Sequence, residues 1–224
     1  MDHTARTIET YDRIAAAYHL IATPEHRTWL ENSMRDFFQR LPGPAVLVAG
    51  CGEGRDSRYL SGLGARVTSF DLSAAMLALA RAADPRGVYW QADLRDLSPI
   101  RGTFDGVWAC ACLYHLTKLE FHSCLAALRA RLNPRGVLFL NLKLGTGEHV
   151  IDIPRAGYPG GDAVRENLTG SRFYAFYRRE ELTAYFRGYV VEKEQRDLLA
   201  EGDGAMEFVL RRDDSAYPAI PSAL

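Results

Sequence analysis

Residues 45–56 are Ala-Val-Leu-Val-Ala-Gly-Cys-Gly-Glu-Gly-Arg-Asp, a short apolar run followed at once by a glycine-rich turn. Such a run bounded by glycine is typical of a buried parallel strand, and the glycines let the backbone approach a ligand without a Cβ clash. A second strand pattern, Arg-Val-Thr-Ser-Phe-Asp, ends at Asp71, whose carboxylate can accept hydrogen bonds from both hydroxyls of a ribose. The two segments together have the layout of an adenosine-cofactor site.

The bulk composition is that of an ordinary globular domain. The chain has 224 residues with a net charge of −1, and 47% of its residues are hydrophobic and 25% charged. This length predicts one domain, and the near-neutral charge disfavours binding to duplex DNA. The first residues lack the apolar segment of a signal peptide, and no run of about 18 apolar residues indicates a membrane span. We therefore expect a cytoplasmic protein, monomeric or homodimeric, with no membrane partner.

The cysteines favour free thiols over a metal site. No Cys-x-x-Cys spacing occurs among Cys51, Cys110, Cys112 and Cys124. Alternate residues of a strand share a face, so Cys110 and Cys112 lie together, but no second pair of ligands follows nearby. The sequence therefore predicts buried thiols in a reducing compartment and no metal.

The pattern after residue 43 alternates strands with helices. Strands are predicted at 45–49, 66–70, 87–91, 104–110 and 136–142, and helices at 55–63, 74–83 and 117–132, the second of them capped by Ser73. Strict alternation predicts a parallel, doubly wound sheet with right-handed crossovers. Two earlier helices, at 7–18 and 24–40, lie outside this pattern and are expected to cap the open edge of the sheet.

The remainder of the chain, after residue 142, is predicted to form three further segments of the same single domain. Residues 143–172 are rich in glycine and proline and predict a long loop that serves as a lid or binding loop. A helix is predicted from 178 to 186, and a closing strand pair at 189–195 and 206–211. The resulting division is a helical cap (1–42), a cofactor-binding core (43–142), an insertion (143–177), a C-terminal helix and strand pair (178–214) and a tail (215–224).

The spacing of the glycines and the acids at the strand ends distinguish between two possible adenosine cofactors. A nicotinamide site favours Gly-x-Gly-x-x-Gly, whereas the third glycine of Gly50-Cys-Gly52-Glu-Gly54 comes one residue early. The next strand ends in Trp-Gln-Ala-Asp-Leu, which places Asp93 to accept a hydrogen bond from an adenine amine. Both Asp71 and Asp93 belong to the C-terminal edge of the sheet, where open α/β sheets bind ligands.

With these motifs the chain resembles the class I S-adenosylmethionine-dependent methyltransferases of the small-molecule type. The resemblance rests on the glycine, ribose and adenine motifs, the fourth strand, the turn into the fifth and the cap helix, at 46–55, 70–73, 92–94, 103–108, 132–138 and 11–18. It implies an α/β fold with a Rossmann-like, doubly wound, mixed seven-stranded sheet. The last strand is antiparallel, a helical cap precedes the sheet, and an insertion follows strand five. The implied cofactor is S-adenosyl-L-methionine, with S-adenosyl-L-homocysteine as product.

The resemblance also implies which residues contact the cofactor. They are Tyr18, Gly50, Cys51, Gly52, Arg55, Asp71, Leu72, Met76, Asp93, Leu94, Cys110 and His115. The chain departs from the family at Val48, where many members carry an acid that helps to position the donor. If binding is retained, Arg55, Asp56 or a tyrosine of the cap helix supplies the missing polar contact.

The residues after strand four, Ala-Cys-Ala-Cys-Leu-Tyr-His-Leu, would lie beside the transferred methyl group. The ordinary pKa of histidine would suit His115 to act as a general base, and the alternative is that it packs beside the donor and hydrogen-bonds to backbone. Tyr114 is the second catalytic candidate, with a role in the pocket wall as the alternative. The stretch lacks the Asn/Asp-Pro-Pro-Tyr motif of the DNA and glutamine amino-methyltransferases, which argues against methylation of DNA bases.

Four further residues are predicted to bind the acceptor: Tyr11, Lys143, Arg172 and Tyr174. If residues 172–177 form a strand, Arg172 and Tyr174 share one face, and Phe173 and Tyr177 face the core. Aromatic and basic side chains suit an acidic or aromatic small molecule, and they also suit a nucleotide.

The predicted function is methyl transfer by in-line displacement to an O or N atom of a small-molecule acceptor. Such a reaction needs alignment and exclusion of water more than a strong catalytic triad. An RNA or tRNA methyltransferase remains an alternative, although no clustered basic face or recognition domain is visible. A non-catalytic module that binds the donor, and a nicotinamide-dependent dehydrogenase, are the alternatives from other classes.

Overall fold

The glycine motif begins at the end of a strand in the middle of a mixed sheet. The computed structural model describes residues 2–21, 24–153, 168–197 and 204–215. The strands are β1 Ala45–Ala49, β2 Arg66–Asp71, β3 Val88–Gln91, β4 Phe104–Ala109, β5 Leu132–Leu144, β6 Glu148–Ile153, β7 Gly170–Tyr177, β8 Tyr189–Asp197 and β9 Ala205–Arg212. The α-helices are α1 His3–Ile14, α2 Pro24–Gln39, α3 Arg55–Gly62, α4 Ala74–Ala83, α5 Lys118–Arg131 and α6 Arg179–Tyr185, with 3-10 segments at Ala15–Ile21 and Leu113–His115.

The sheet confirms the predicted topology. Strands β3, β2, β1, β4 and β5 are parallel neighbours in that order. Strand β9 runs antiparallel to β5 along its length, and β8 pairs with β9 beyond it. These seven strands are those of the predicted mixed sheet, with β9 inserted antiparallel between β5 and β8. Strands β7 and β6 extend the sheet to nine strands among the described residues, two more than the seven expected.

Helices cover both faces of the sheet, and this is why its central strands are apolar throughout. Leu47 of β1 lies in a core cluster with Phe121 of α5, whereas Val46 and Val48 lie in a second cluster with Phe37 of α2. Burial on both faces gives a near-continuous apolar strand in place of an alternating one.

The cap helix differs from its predicted bounds. The prediction placed it at 7–18, but α1 begins at His3 and ends at Ile14, and a 3-10 segment continues through Ala15–Ile21. The earlier start follows from Asp2, whose carboxylate accepts a hydrogen bond from the amide of Thr4 and caps the helix. None of the helices in the described residues is long and apolar enough to cross a membrane.

The insertion after β5 is not the long loop that was predicted. Strands β6 and β7 form an antiparallel hairpin, from the pair Glu148–Ala175 to the pair Ile153–Gly170. The start of β7 replaces the end of the predicted loop, and Phe176 and Tyr177 pair in parallel with the end of β5. The glycine and proline content predicted a loop because these residues reflect the local backbone preference of the segment. The pairing of β7 with β5 and β6 depends on the fold as a whole, and local preference does not indicate it. Residues 154–167, the middle of the predicted lid, and the tail from 216 lie outside the described residues.

Candidate active site

The glycine turn lies against the segment that follows β4. Gly50 has φ +63°, and a Cβ added there would stand 2.4 Å from the Cβ of Cys112. Gly52 has φ +53°, but a Cβ added there would meet nothing within 4 Å. Gly50 is therefore required by packing and backbone conformation together. Gly52 borders open space at the predicted cofactor position.

The Asp71 carboxylate links the glycine turn to the residues that follow β2, because it accepts hydrogen bonds from backbone amides of both segments. One carboxylate oxygen accepts from the amide of Gly52 at 2.8 Å, and the other accepts from the amide of Ser73 at 2.9 Å. Burial raises the pKa of Asp71, and the hydrogen bonds from these amides oppose that rise. Each carboxylate oxygen has two acceptor sites, so the same group can still accept from ribose hydroxyls.

Asp12 of the cap helix was missed as a site residue. Its carboxylate accepts from the Ser73 hydroxyl at 2.5 Å and from the Ala75 amide at 3.1 Å. The first turn of α4 therefore carries an acid from α1, which the helix dipole favours. The Ser73 hydroxyl also accepts from the amide of Met76, which confirms the predicted N-cap. The one available signal was that Asp12 follows Tyr11 in the cap motif.

Asp93 follows Ala92, whose amide donates to the Asp71 carbonyl oxygen at 3.1 Å, and its carboxylate has a partner that the sequence did not indicate. Its Oδ2 accepts from Nε and Nη2 of Arg95 at 2.9 and 2.7 Å, and its Oδ1 accepts from the same Nε at 3.1 Å. Arg95 also forms ion pairs with Asp2 and Glu120. The predicted adenine acid is therefore linked to the start of the cap helix.

The other predicted cofactor residues differ in their burial. Met76 and Cys51 are buried, whereas Leu72, Leu94, Cys110 and Tyr18 are partly exposed. Arg55 donates to Asp56 at 2.8 Å, and the second oxygen of Asp56 accepts from the Trp108 indole at 2.9 Å. Val48 is buried in the core, so the position of the usual acid is filled by apolar packing.

A strained residue shapes the segment after β4. Ala111 has φ +57°, a region that costs a residue with a side chain about 1–2 kcal/mol. Its amide donates to the side chain of Asn141 in β5 at 2.6 Å, which holds the bend in place. The bend leads into the 3-10 turn Leu113–His115 and so delivers Tyr114 and His115 to the sheet edge. Neither Ala111 nor Asn141 carried a sequence signal for this role.

His115 is held from both ring nitrogens. Its Nδ1 lies 2.6 Å from the carbonyl oxygen of Phe173 in β7, and its Nε2 lies 2.8 Å from the hydroxyl of Tyr11. Burial, followed by the charge of Arg172, lowers the pKa of His115 to about 3. The ring is therefore neutral near pH 7, and a pKa this low makes it a weak base. The predicted general base is placed better to orient its neighbours than to take a proton.

An aromatic wall surrounds His115. Tyr174 stacks on Tyr114 with ring centroids 5.6 Å apart and lies 4.9 Å from the His115 ring. Tyr11 meets Tyr18 edge-on at 5.7 Å. Burial raises the pKa of Tyr114 well above its ordinary value, so its hydroxyl stays protonated at neutral pH and suits a wall residue.

The predicted basic residues approach the same wall. The Arg172 guanidinium lies over the rings of Tyr11 and Tyr174, at 5.1 and 5.5 Å, and donates to the Tyr11 hydroxyl at 2.9 Å. Lys143, at the end of β5, is close enough for its charge to help lower the pKa of His115. Tyr11, Arg172 and Tyr174 therefore contact one another or His115, and Lys143 is near enough to act on His115 through its charge.

The depressed pKa of His115 predicts a pH dependence of stability. Its folded pKa of about 3 lies below the ordinary value of 6.5, so the unfolded chain binds more protons between these values. The contribution to stability is complete above about pH 6.5 and is lost as the pH falls towards about 3. Denaturant unfolding from pH 7.5 to 4.5 is expected to show a steeper loss for the wild type than for His115→Gln. The difference should be at most about 1.4 kcal/mol per pH unit. Parallel curves for the two proteins would contradict the assignment of a neutral His115.

A family model described as a methyltransferase domain matches residues 46–136, from the glycine turn to β5. The chain is 35% identical over 130 residues to malonyl-[acyl-carrier protein] O-methyltransferase of Enterobacter lignolyticus, a match that covers 56% of this chain and 51% of that protein. The chain thus spans about half the length of this curated relative.

Solved structures share the fold at low identity. The CcbJ methyltransferase from Streptomyces caelestis is 18% identical with a TM-score of 0.70, over 93% of this chain and 99% of that one. The 1,6-didemethyltoxoflavin-N1-methyltransferase of Burkholderia thailandensis, with bound 1,6-didemethyltoxoflavin and S-adenosylhomocysteine, is 22% identical with a TM-score of 0.64. That match covers 96% of this chain and 91% of the other.

The matched core contains the glycine turn, both acids and the segment after β4, and it lies in a mostly parallel mixed sheet of the kind that the resemblance implied. The predicted cofactor, S-adenosyl-L-methionine, is the one that this family uses. The match of residues 46–136 to a methyltransferase domain, together with the shared fold of the solved methyltransferases, supports the resemblance to the class I S-adenosylmethionine-dependent methyltransferases.

Proposed function

We propose that this protein binds S-adenosyl-L-methionine and transfers its methyl group to an O or N atom of a small-molecule acceptor. The observation that carries the proposal is the turn at Asp71. Its carboxylate is fixed by the amides of Gly52 and Ser73, and Gly52 borders open space. The bound donor supplies an electrophilic methyl group on a sulfonium, and the residues described here bind and orient.

We propose that the protein residues contribute by positioning the donor and the acceptor. Asp71 accepts hydrogen bonds from the ribose hydroxyls. Asp93 accepts a hydrogen bond from the adenine amine, and for this the Arg95 side chain must share the Asp93 carboxylate or move off it. Tyr11, Tyr114, Tyr174 and His115 form a wall that excludes water on the acceptor side. Exclusion of water and alignment are the main requirements of an in-line displacement. We propose His115 as an orienting residue in place of a general base.

A small acceptor is favoured by the shape and charge of the described residues. Aromatic rings and one buried arginine make a compact wall, which suits a planar molecule better than a nucleic acid. The net charge of −1 gives no support to RNA binding. RNA methylation and donor binding without catalysis remain the competing functions, and an acyl group on a carrier protein is suggested by the names of the curated relatives.

Transfer of a labelled methyl group tests this function. The purified chain is incubated with donor labelled in the methyl group and with a cell extract separated into small molecules, RNA and protein. We expect label in the small-molecule fraction and none with the Asp71→Asn variant. Label in RNA would support the RNA alternative, and label in protein would indicate a carrier-bound acceptor. Donor binding without any label would indicate a non-catalytic module.

A further inference from the structure

The guanidinium of Arg55 is bound at one nitrogen and open at the other two. Its Nε donates to Oδ1 of Asp56 at 2.8 Å, whereas Nη1 and Nη2 form no hydrogen bond or ion pair within the part of the chain that the structure describes. The side chain is 40% exposed. Two parallel N–H groups of a guanidinium match the two oxygens of a carboxylate. The terminal nitrogens of Arg55 are therefore suited to bind a carboxylate.

Asp56 is itself fixed from the core of the protein. Its carboxylate is buried, and Oδ2 accepts a hydrogen bond from Nε1 of the Trp108 indole at 2.9 Å. Trp108 is fully buried in β4 and stacks on Phe139 of β5 with ring centroids 3.9 Å apart. A carboxylate with each oxygen bound to a different partner has little freedom to turn. The core therefore sets the position of Arg55 through Asp56.

The order of the strands places Arg55 near the position expected for the amino-acid group of the donor. Strands β3, β2 and β1 are neighbours, and their C-terminal ends carry Asp93, Asp71 and the glycine turn, respectively. A donor with its adenine at Asp93 and its ribose at Asp71 therefore extends its amino-acid group towards the ends of β1 and β4. Arg55 is the first residue of α3, directly after the glycine turn.

The electrostatic neighbours of Arg55 agree with this position. Burial lowers the pKa of Arg55, but the charge and the hydrogen bond of Asp56 raise it, and Cys110 and Tyr18 add to that rise, so the pKa lies above its ordinary value. Arg55 is thus charged and within reach of the residue that follows β4 and of the cap segment. A Cβ added at Gly52, in the turn that leads to Arg55, would meet nothing within 4 Å, so the turn leaves room for a ligand.

We propose that Arg55 binds the carboxylate of the donor's amino-acid group through Nη1 and Nη2, and that Asp56 positions Arg55 for this contact. The proposal rests on the proposed methyltransferase function. The donor carries one carboxylate, and a guanidinium can bind both of its oxygens at once. Where many members of the family carry an acid, this chain has the buried Val48. Arg55 then supplies the polar contact to the donor from the other side of the glycine turn.

A ligand that lacks the carboxylate tests this assignment. 5′-Methylthioadenosine keeps the adenosine and the sulfur of S-adenosylhomocysteine but has no amino-acid group. The full chain and its Arg55→Met variant are titrated with both ligands in a calorimeter. We expect Arg55→Met to weaken binding of S-adenosylhomocysteine at least about tenfold, because hydrogen bonds between charged groups are lost. The affinity for 5′-methylthioadenosine should change by less than about twofold, because this ligand has no group for Arg55 to bind.

The pair of ligands separates a direct contact from a structural role of Arg55. An equal loss of affinity for both ligands, or no loss for S-adenosylhomocysteine, would overturn the inference and leave the proposed function intact. A wild-type chain that binds neither ligand would overturn the proposed function, and the inference with it. Arg55→Lys retains a positive charge for Asp56, so it replaces Arg55→Met if that variant does not fold, and it should show the same selective loss at a smaller size. Arg35→Met removes an exposed arginine that pairs with Glu31 on α2, and as the matched control it should change neither affinity.

A double-mutant cycle tests the positioning role of Asp56. We expect Asp56→Asn to weaken binding of S-adenosylhomocysteine about threefold in the wild type and to have no further effect in the Arg55→Met protein, because Asp56 acts only through Arg55. Binding of 5′-methylthioadenosine should stay unchanged in both proteins. A further loss of affinity in the Arg55→Met protein would show that Asp56 acts on the ligand independently, and it would overturn the positioning role.

Discussion

Replacement of Asp71 by asparagine is expected to weaken binding of S-adenosylhomocysteine by at least about 100-fold. Both carboxylate oxygens already accept from backbone amides, Gly52 on one side and Ser73 on the other. The amide nitrogen of an asparagine would face one of those N–H groups as a second donor, and the ribose would lose a charged acceptor. Hydrogen bonds to a charged group contribute about 1.5–3 kcal/mol each, so two lost bonds amount to at least this change.

Titration calorimetry with S-adenosylhomocysteine measures this effect. Asp84→Asn is the matched control, since Asp84 ends the same helix α4 and also accepts from a backbone amide, that of Arg86, but lies at the opposite end of the helix from Asp71. The control should bind as the wild type does. Tight binding by Asp71→Asn would show that the ribose lies elsewhere.

Two alanine substitutions in the glycine turn are expected to have different effects, one on stability and the other mainly on cofactor binding. Gly50→Ala should destabilise the fold by about 2–5 kcal/mol, because the new Cβ would overlap Cys112 and the residue would remain at positive φ. Gly52→Ala bears only the cost of positive φ, about 1–2 kcal/mol. Its methyl group enters the space assigned to the cofactor, so affinity for S-adenosylhomocysteine should fall by more than tenfold while the chain stays folded.

Denaturant unfolding and calorimetry on both variants separate these effects. Gly62→Ala is the control, because Gly62 lies in α3 with nothing within 4 Å of an added Cβ. It should leave binding unchanged and stabilise the helix slightly. Unchanged affinity in Gly52→Ala would place the cofactor away from the turn.

The central fold was predictable because local patterns and burial agree there. Strand β1 is apolar because both of its faces are covered, and helix α4 begins at Ser73 because its hydroxyl caps the first turn. The site residues contributed by strand ends could be predicted for the same reason, since parallel strands end at one edge. Asp71 and Asp93 are both where the pattern of strands placed them.

The contacts of the site depend on pairings between distant segments. The β6–β7 hairpin brings the Phe173 carbonyl to His115, and α1 brings Tyr11 to His115 and Asp12 to Ser73. No spacing in the sequence indicates these partners. For that reason the sequence could nominate His115 as a base, whereas the low pKa and the paired ring nitrogens that favour an orienting role follow only from the folded arrangement.

Calorimetric titration of the full chain with S-adenosylhomocysteine, and in parallel with NADH, distinguishes a methyl-donor site from a nicotinamide site. We predict a dissociation constant in the micromolar range for S-adenosylhomocysteine and no heat with NADH. Heat with NADH and none with S-adenosylhomocysteine would contradict this prediction.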